Sequence, residues 1–342
     1  MGKTMKCGIL GAGVISKIHA QAVAEVERAE VYAVCDSDVE KAERLAEECG
    51  AAHVFTSLEE MLKLEELDIV HVCLPSALHE EASIACANAG KHVLCEKPLD
   101  IRLEKIDRII EAVERNRIKL GCVYQRRTMP EAIAARQAIQ EGKLGKMVLG
   151  DAYLKYYRSP AYYESAGWRG TWEIDGGGAL MNQGVHGIDL VQWMMGDIVS
   201  VFAHAAPLVR NIEVEDTAVV VVKYANGAFG VIQGTTSVYP AQETRFELHG
   251  EKGSLIFGDD GIRTWELIEG ELEKPGASAG AGSPGADPAA VAHAGHVILL
   301  NDLIDSIIED REPAVNAAEA RKAVAVIMAI YESSRTGKEV FL

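Results

Sequence analysis

Lys91-His92-Val93-Leu94-Cys95-Glu96-Lys97-Pro98 is the stretch on which the reading of the fold turns. Val93 to Cys95 is a short apolar run of the kind that forms a strand buried on both faces. It stops at an acid, a base and a proline. Pro98 removes a backbone donor and biases Lys97 towards extended geometry, which ends the strand. In a parallel sheet Glu96 and Lys97 then stand at the carboxyl end of a strand, where open α/β sheets bind their ligands. Taken alone, the three residues read equally as a solvated pair capping a strand. The sequence on either side decides between the two.

Upstream, an apolar run over 5–10 is followed at once by Gly11-Ala12-Gly13-Val14-Ile15-Ser16. Ile18, Ala22 and Val26 then recur four apart, which predicts a helix. Gly11 permits a tight turn, and Gly13 lets the backbone approach a pyrophosphate that sits on the helix N-terminus. Ser16 replaces the third glycine of this fingerprint, at a position that serves close packing of helix on strand. A second apolar run over 31–35 ends in Asp36, the acid expected about twenty positions on. An acid there accepts hydrogen bonds from an adenosine ribose and repels a 2′-phosphate. Ser37 and Asp38 follow, with no arginine to receive such a phosphate, so the sequence favours NAD over NADP. A helix N-cap at Asp36 is compatible with that role.

The alternation continues. Helices over 38–49, 57–63, 80–89 and 103–115 interleave with strands over 51–55, 68–74, 91–95 and 119–124. That pattern predicts a doubly wound parallel sheet with helices on both faces. Leu74 closes one of these strands, and Pro75 and His79 lie just past it on the ligand side.

After Tyr124 the pattern changes. A helix over 131–141 precedes strand-like runs over 147–156, 199–205, 217–224, 228–235, 243–249 and 254–257. Asn226-Gly227 between two β-branched runs is a hairpin signal. Strands grouped apart from the βα alternation predict an α+β domain on a large, mainly antiparallel sheet. The expected division is a dinucleotide-binding domain over 1–125 and a substrate and oligomerisation domain over 126–342. A broad sheet of this kind often buries one face against a second subunit, so a homodimer or homotetramer is expected. Residues 274–290, rich in Gly, Ala, Ser and Pro, read as a flexible loop. Helices over 297–308 and 317–331 close the chain.

Between these strands lies Trp168-Arg169-Gly170-Thr171-Trp172, then Gly176-Gly177-Gly178-Ala179-Leu180-Met181-Asn182-Gln183-Gly184-Val185-His186-Gly187-Ile188-Asp189. Three glycines in a row demand unusual backbone angles or close approach to something. They lead into a predicted helix on which Asn182, His186 and Asp189 recur at spacings of four and three, hence on one face. His186 alone reads as a satisfied core histidine; the set beside a glycine-rich entry reads as a polar site. No carboxylate or cysteine set completes a ligand list around it, so no metal is expected.

A chain of 342 residues has room for two domains with substantial cores. Its formal charge of −17 leaves nothing to neutralise a row of phosphates, which argues against a nucleic-acid partner and fits a small ligand. The seven cysteines (Cys7, Cys35, Cys49, Cys73, Cys86, Cys95, Cys122) are odd in number and show no CxxC spacing. They read as buried, reduced thiols in a reducing compartment. The first residues lead straight into a strand without a signal-peptide core, and no apolar run reaches membrane-spanning length. A cytoplasmic protein with no membrane partner is expected.

The combination resembles the glucose-fructose oxidoreductase / inositol dehydrogenase / MocA-like (Gfo/Idh/MocA) family of NAD(P)-dependent oxidoreductases, over essentially the whole chain. The resemblance rests on Gly11 to Ser16, Pro75 with His79, Glu96-Lys97-Pro98 and the segment 176–189. It implies a Rossmann-like first domain and makes Lys97 and His186 the catalytic pair. It also implies that Glu96 contacts the nicotinamide ribose, that Pro75 and His79 line the cofactor groove, and that Gln125 and Arg127 lie near the active site. Trp168 and Arg169 match a pair found in sugar-active members, near nicotinamide or substrate. Side chains lining the substrate pocket are expected from the loops over 156–164, beginning with Tyr156, and 274–290. Many polyol dehydrogenases of the family carry an aspartate where this chain has Asn182. An amide cannot accept a proton, so a relay through that position is excluded. Some members that oxidise sugar nucleotides and glycosides share the asparagine.

The implied reaction is reversible oxidation of a secondary hydroxyl on a sugar, a glycoside, a sugar derivative or a cyclitol. His186, whose pKa lies nearest working pH, would act as base, and Lys97 would donate to the same oxygen and share the proton. Asn182 would position a hydroxyl or hold His186. Two other readings stand beside it. One is an NAD-dependent glycosidase working by transient oxidation. The other is a non-catalytic NAD-binding regulator, against which the apparently complete Lys97/His186 pair argues.

Overall fold

The computed structural model describes residues 3–276 and 293–342; most of the run over 274–290 expected to be a loop lies outside them. The chain begins β1 (Met5–Leu10), α1 (Val14–Glu25), β2 (Ala29–Cys35), α2 (Val39–Cys49), β3 (His53–Phe55) and α3 (Leu58–Leu62). β4 (Ile69–Val72), α4 (His79–Asn88), β5 (His92–Cys95), α5 (Leu103–Asn116) and β6 (Leu120–Cys122) follow. The six strands form one parallel sheet in the order β3-β2-β1-β4-β5-β6. Every residue of β4 is buried, because helices cover both faces of a parallel sheet. α5 buries Ile106, Ile109 and Ala112, an apolar stripe at helical spacing. The strand order reverses between β1 and β4, where a doubly wound sheet opens its ligand crevice.

The remainder runs α6 (Pro130–Gln140), β7 (Met147–Lys155), α7 (Pro160–Glu164), a π-helical turn (Ala179–Gly184) and α8 (Val185–Met195). Then come β8 (Ile198–Ala206), β9 (Thr217–Tyr224), β10 (Phe229–Thr235), β11 (Arg245–Gly250), β12 (Gly253–Gly258) and β13 (Gly261–Leu267). α9 (Ala294–Glu309), α10 (Ala317–Thr336) and β14 (Val340–Phe341) end the chain. Eight strands make a sheet in the order β13-β12-β11-β7-β10-β9-β8-β14, antiparallel except for the β7–β10 pair. β9 alternates strictly: Ala218, Val220, Val222 and Tyr224 are buried, Val219 and Val221 exposed. α8 covers the buried face closely enough that a Cβ on Gly187 would meet the Leu154 side chain of β7.

The chain divides into two compact units, Met1–Gln125 with Ala292–Arg321, and Arg126–Val291 with Lys322–Leu342. The second domain expected over 126–342 is therefore interrupted, since α9 packs with the first unit. Its buried face (Leu299, Leu300, Leu303, Ile304) brings Leu303 against Gly121 of β6. Just after it, the Val315 carbonyl accepts the Cys122 amide at 2.8 Å. Amphipathic periodicity shows that a helix docks, not on which body. The seven-residue β13 and the two-residue β14 were also not anticipated. All seven cysteines are free thiols and six are buried. Among the described residues no helix is long and apolar enough to cross a membrane.

Candidate active site

In the first unit, Gly11 sits at φ +93°, and a Cβ there would stand 2.6 Å from the Cys73 carbonyl oxygen. Only glycine fits this turn between β1 and the end of β4. Gly13 caps α1 with no side-chain hydrogen bond, and a Cβ on it would find nothing within 4 Å. Val14 beside it is 72% exposed. The N-terminus of this twelve-residue helix thus has no side-chain cap, which suits a pyrophosphate. Ile15 and Ala12 pack on the cluster of Ile9, Val34 and Leu45, and Ser16 is fully buried. Asp36 accepts the Ala12 amide at 2.7 Å through Oδ2 and the Asp38 amide at 2.9 Å through Oδ1. Its carboxylate fixes the glycine turn to the end of β2 and keeps further lone pairs for a ribose. These features fit NAD.

Past the ends of β4, β5 and β6, Leu74, Pro75, Lys97 and Gln125 are half-buried. His79 differs from expectation. It is 1% exposed, and its ring nitrogens lie 2.7 Å from the Pro98 carbonyl oxygen and 2.8 Å from that of Leu74. It ties the two strand ends together from beneath rather than lining a groove. Burial lowers its pKa against the opposing effect of the two carbonyls. Glu96 also turns inward: Oε1 lies 2.9 Å from His19 Nε2 and 3.4 Å from His296 Nε2, and Oε2 accepts the Lys97 amide at 3.2 Å.

In the second unit close approach explains Gly177 and Gly178, and Gly176 takes a left-handed φ of +72°. A Cβ on Gly177 would strike the Tyr331 hydroxyl at 2.0 Å, and one on Gly178 the Glu215 carbonyl oxygen at 2.1 Å. The buried Glu215 carboxylate accepts the amides of Gly178 at 3.1 Å and Leu180 at 2.8 Å, and the Tyr331 hydroxyl at 3.0 Å. Burial raises its pKa to about 7, opposed by those amides. Held in this way, 179–184 winds as a π turn, with the Gln183 amide reaching the Gly178 carbonyl at 3.3 Å. The uniform helical face expected for Asn182, His186 and Asp189 is therefore broken, since Asn182 belongs to a wider turn than α8.

Asn182 donates to the buried Asp175 carboxylate and accepts from Gln183 Nε2 at 2.7 Å, which fixes which way its amide faces. Asp175 also accepts the Gly170 amide at 2.8 Å, tying the Trp168–Arg169 loop to the same network. His186, in the first turn of α8, is half-buried. Arg169 donates to the Tyr162 hydroxyl at 2.5 Å and lies over the rings of Tyr162 (4.2 Å) and Trp168 (4.7 Å). Gln183 joins Tyr162 at 2.9 Å to Arg158 at 2.8 Å.

Two expected substrate contacts have other roles. Tyr156 is 3% exposed, its ring buried and its hydroxyl 3.4 Å from that of Thr244. Arg127 is 6% exposed and forms two hydrogen bonds to Asp189, at 2.8 and 2.6 Å. Residues not foreseen are Glu215, Asp175, Gln183, His19 and His296, while Arg158 and Tyr162 fall in the 156–164 loop expected to line the pocket, though neither was singled out. Their partners are mostly far away in sequence, and no local spacing announces them. The paired tyrosines after Pro160 were the one available signal.

A dinucleotide-binding parallel sheet joined to a sheet domain that displays a histidine and a hydrogen-bonded amide defines an oxidoreductase architecture. Residues 5–124 match the model of the oxidoreductase family with an NAD-binding Rossmann fold, and residues 132–256 that of the GFO/IDH/MocA C-terminal domain. The chain belongs to the Gfo/Idh/MocA oxidoreductase family. It is 31% identical to myo-inositol 2-dehydrogenase of Thermotoga maritima over 274 residues, 78% of this chain and 79% of that one. It is 30% identical to 1,5-anhydro-D-fructose reductase of Ensifer adhaerens over 252 residues, 73% of this chain and 74% of that one. The WlbA dehydrogenase of Bordetella pertussis, solved in complex with NADH and UDP-GlcNAcA, superposes with a TM-score of 0.89 at 33% identity, covering 99% of both chains.

Proposed function

We propose that this protein is an NAD-dependent dehydrogenase that oxidises a secondary hydroxyl on the ring of a sugar derivative or cyclitol, preferably one bearing an anionic group. The observation that carries the anionic preference is Arg169. Its guanidinium lies over two aromatic rings, its Nε is buried without a partner, and it has no carboxylate partner among the described residues. In a chain of net charge −17 such an arginine suits a phosphate or carboxylate. The similarity to an enzyme solved with UDP-GlcNAcA, an anionic nucleotide sugar, supports the same reading.

NAD, when bound, supplies the hydride acceptor. Gly11 and Gly13 would hold its pyrophosphate, and Asp36 would take its adenosine ribose and disfavour NADP. His186 removes the hydroxyl proton as general base. Lys97 donates a hydrogen bond to the same oxygen and steadies its developing charge. Asn182, oriented by Asp175 and Gln183, presents its amide to a substrate hydroxyl.

The test mixes protein and NAD with UDP-sugar acids, neutral sugars, glycosides and inositols and follows NADH absorbance. Accumulation with the acidic nucleotide sugars, and an Arg169→Ala variant that raises KM far more than it lowers kcat, is the expected result. Turnover of neutral cyclitols alone removes the anionic preference. Unchanged turnover in both Lys97→Ala and His186→Ala removes the catalytic assignment.

The outer face of the second sheet supports self-association, as a homodimer or homotetramer. Phe202 and Val221 pair directly across β8 and β9, and with Val219 and Phe229 they are 40% to 57% exposed. A stripe of this kind is a candidate interface. Light scattering on Val221→Glu, expected to report a smaller particle than the parent, checks it.

A further inference from the structure

The first unit buries a polar cluster that dinucleotide binding by itself does not require. His71 is the one polar residue of β4 and is 0% exposed; His19 of α1 is also 0% exposed, and His296 of α9 is 1%. His19 Nδ1 lies 2.8 Å from His71 Nδ1, and His19 Nε2 lies 2.9 Å from Glu96 Oε1, which His296 Nε2 approaches at 3.4 Å. The His19 ring meets both neighbours edge to face, at 5.1 and 5.0 Å.

Counting protons fixes the direction of these bonds. Two Nδ1 atoms 2.8 Å apart share one proton. If it belonged to His19, a bare Nε2 lone pair would face the Glu96 carboxylate. His71 Nε2–H would also be buried without an acceptor, since that atom has no partner. If it belongs to His71, then His71 donates to His19 and His19 Nε2–H donates to Glu96, leaving only acceptor nitrogens unmatched. The second arrangement is the cheaper one. Burial lowers the pKa of His19, and it holds His71 well below the ordinary range, so neither needs to carry a charge. Burial pushes Glu96 up, yet hydrogen bonds from His19 and His296 outweigh it and hold the acid well below its ordinary range. The other titratable groups turned towards Glu96 are His79 of α4 and the thiols of Cys73 and Cys95, which burial keeps protonated. Among the described residues no lysine or arginine pairs with Glu96.

A metal is the competing explanation for two histidines and a glutamate, and the distances argue against it. Two ligands of a tetrahedral ion bound at about 2.05 Å stand about 3.3 Å apart, whereas His19 Nε2 and Glu96 Oε1 are 2.9 Å apart, a hydrogen-bond length. An octahedral ion wants about six donors where three converge.

We propose that the cluster is a fixed buried anion for the cofactor. His19, oriented by His71 and flanked by His296, keeps Glu96 a carboxylate at the carboxyl end of β5, and that charge favours the cationic, oxidised nicotinamide over the reduced one. His19 is a positioning residue acting through Glu96. The proposal rests on the dinucleotide reading above.

The test measures dissociation constants for NAD and for NADH separately, by calorimetry on the full chain, for the parent, Glu96→Gln, His19→Gln and His19→Leu. Removing the anion weakens the oxidised form selectively. The ratio Kd(NAD)/Kd(NADH) should rise on the order of tenfold in Glu96→Gln, the size expected for the loss of one buried charge at an effective dielectric constant of about 20. His19→Leu strips the carboxylate of its donor and should raise the ratio likewise. His19→Gln, whose amide can accept from His71 and donate to Glu96, should hold it at the parent value. A purely structural His19 would move both constants together and leave the ratio alone, which overturns the proposal. If His19→Leu does not fold, Glu96→Gln against His19→Gln still decides. One equivalent of zinc copurifying with the parent and lost in His296→Ala would overturn it in favour of a coordination site. A parent chain that binds neither dinucleotide overturns the cofactor reading itself.

Discussion

Gly178 presses on the main chain of Glu215 so closely that a methyl group on its α-carbon would stand 2.1 Å from the Glu215 carbonyl oxygen. Three backbone amides converge on Glu215 there: Ala179 donates to its carbonyl at 3.0 Å, and Gly178 and Leu180 to its carboxylate. The turn that carries Asn182 and leads to His186 starts from this contact. Gly178→Ala should destabilise the protein by more than about 3 kcal/mol, because the obstacle is backbone rather than a flexible side chain. Denaturant titration measures it, and a loss below about 1 kcal/mol would contradict the packing.

Glu215 should also make stability depend on pH. Its pKa, about 7 in the fold, lies above the unfolded value of 4.5, so the folded chain holds the proton more tightly. The proton-linked stabilisation is complete below the unfolded pKa and is lost as pH rises through about 7, a change of roughly 3 kcal/mol. Glu215→Gln should remove this component. The difference in unfolding free energy between parent and variant, followed from pH 5 to about 8, is the measurement, and a flat difference would sink the assignment.

The glycine turn separates fold from ligand. Gly13→Ala adds a methyl group into open space at φ −83°, so stability should stay within about 0.5 kcal/mol of the parent while NAD affinity falls more than about tenfold. Gly11→Ala, at φ +93° and 2.6 Å from the Cys73 carbonyl oxygen, should lower the melting temperature as well. Calorimetric titration beside thermal melts reads both. Full NAD binding by Gly13→Ala would move the pyrophosphate elsewhere.

Arg127 and Asp189 form a buried pair, 6% and 3% exposed, with two hydrogen bonds. Arg127→Met strands a buried carboxylate and should cost about 3–5 kcal/mol, whereas Arg127→Met with Asp189→Leu should regain most of it. A double-mutant cycle on unfolding free energies checks the coupling. Additive losses would mean that the pair acts independently.

The parallel sheet was legible because its strands are buried on both faces and read as apolar runs, and in the second sheet Asn226-Gly227 marks the β9–β10 hairpin plainly. β13 was not, since Arg263, Thr264 and Glu266 dilute its alternation. Of the catalytic candidates, His186 stands out among glycines and Lys97 at a strand end before Pro98, and only the family resemblance joined them as a pair. The environment of Glu96 was not, because His19 and His296 lie 77 and 200 positions away. Likewise nothing local in Gly176-Gly177-Gly178 tells that Glu215 and Tyr331 will occupy the missing side-chain space. The reading of a helical face failed at Asn182 for the same reason, as Glu215 captures the amides that would have set an α-helical start.

The return of residues 292–321 to the first unit bears on how the chain is made. A ribosome delivers β1 to β6 early, but Leu303, Val315 and His296 arrive only after the entire second sheet has been translated. Until then β6 lacks the helix that covers it, and Glu96 lacks one of its two imidazole neighbours. The first body to be synthesised is thus among the last to be finished, and nascent chains must wait with an apolar flank uncovered, the state that chaperones recognise. Residues 1–125 expressed as a fragment would be stranded at that waiting stage.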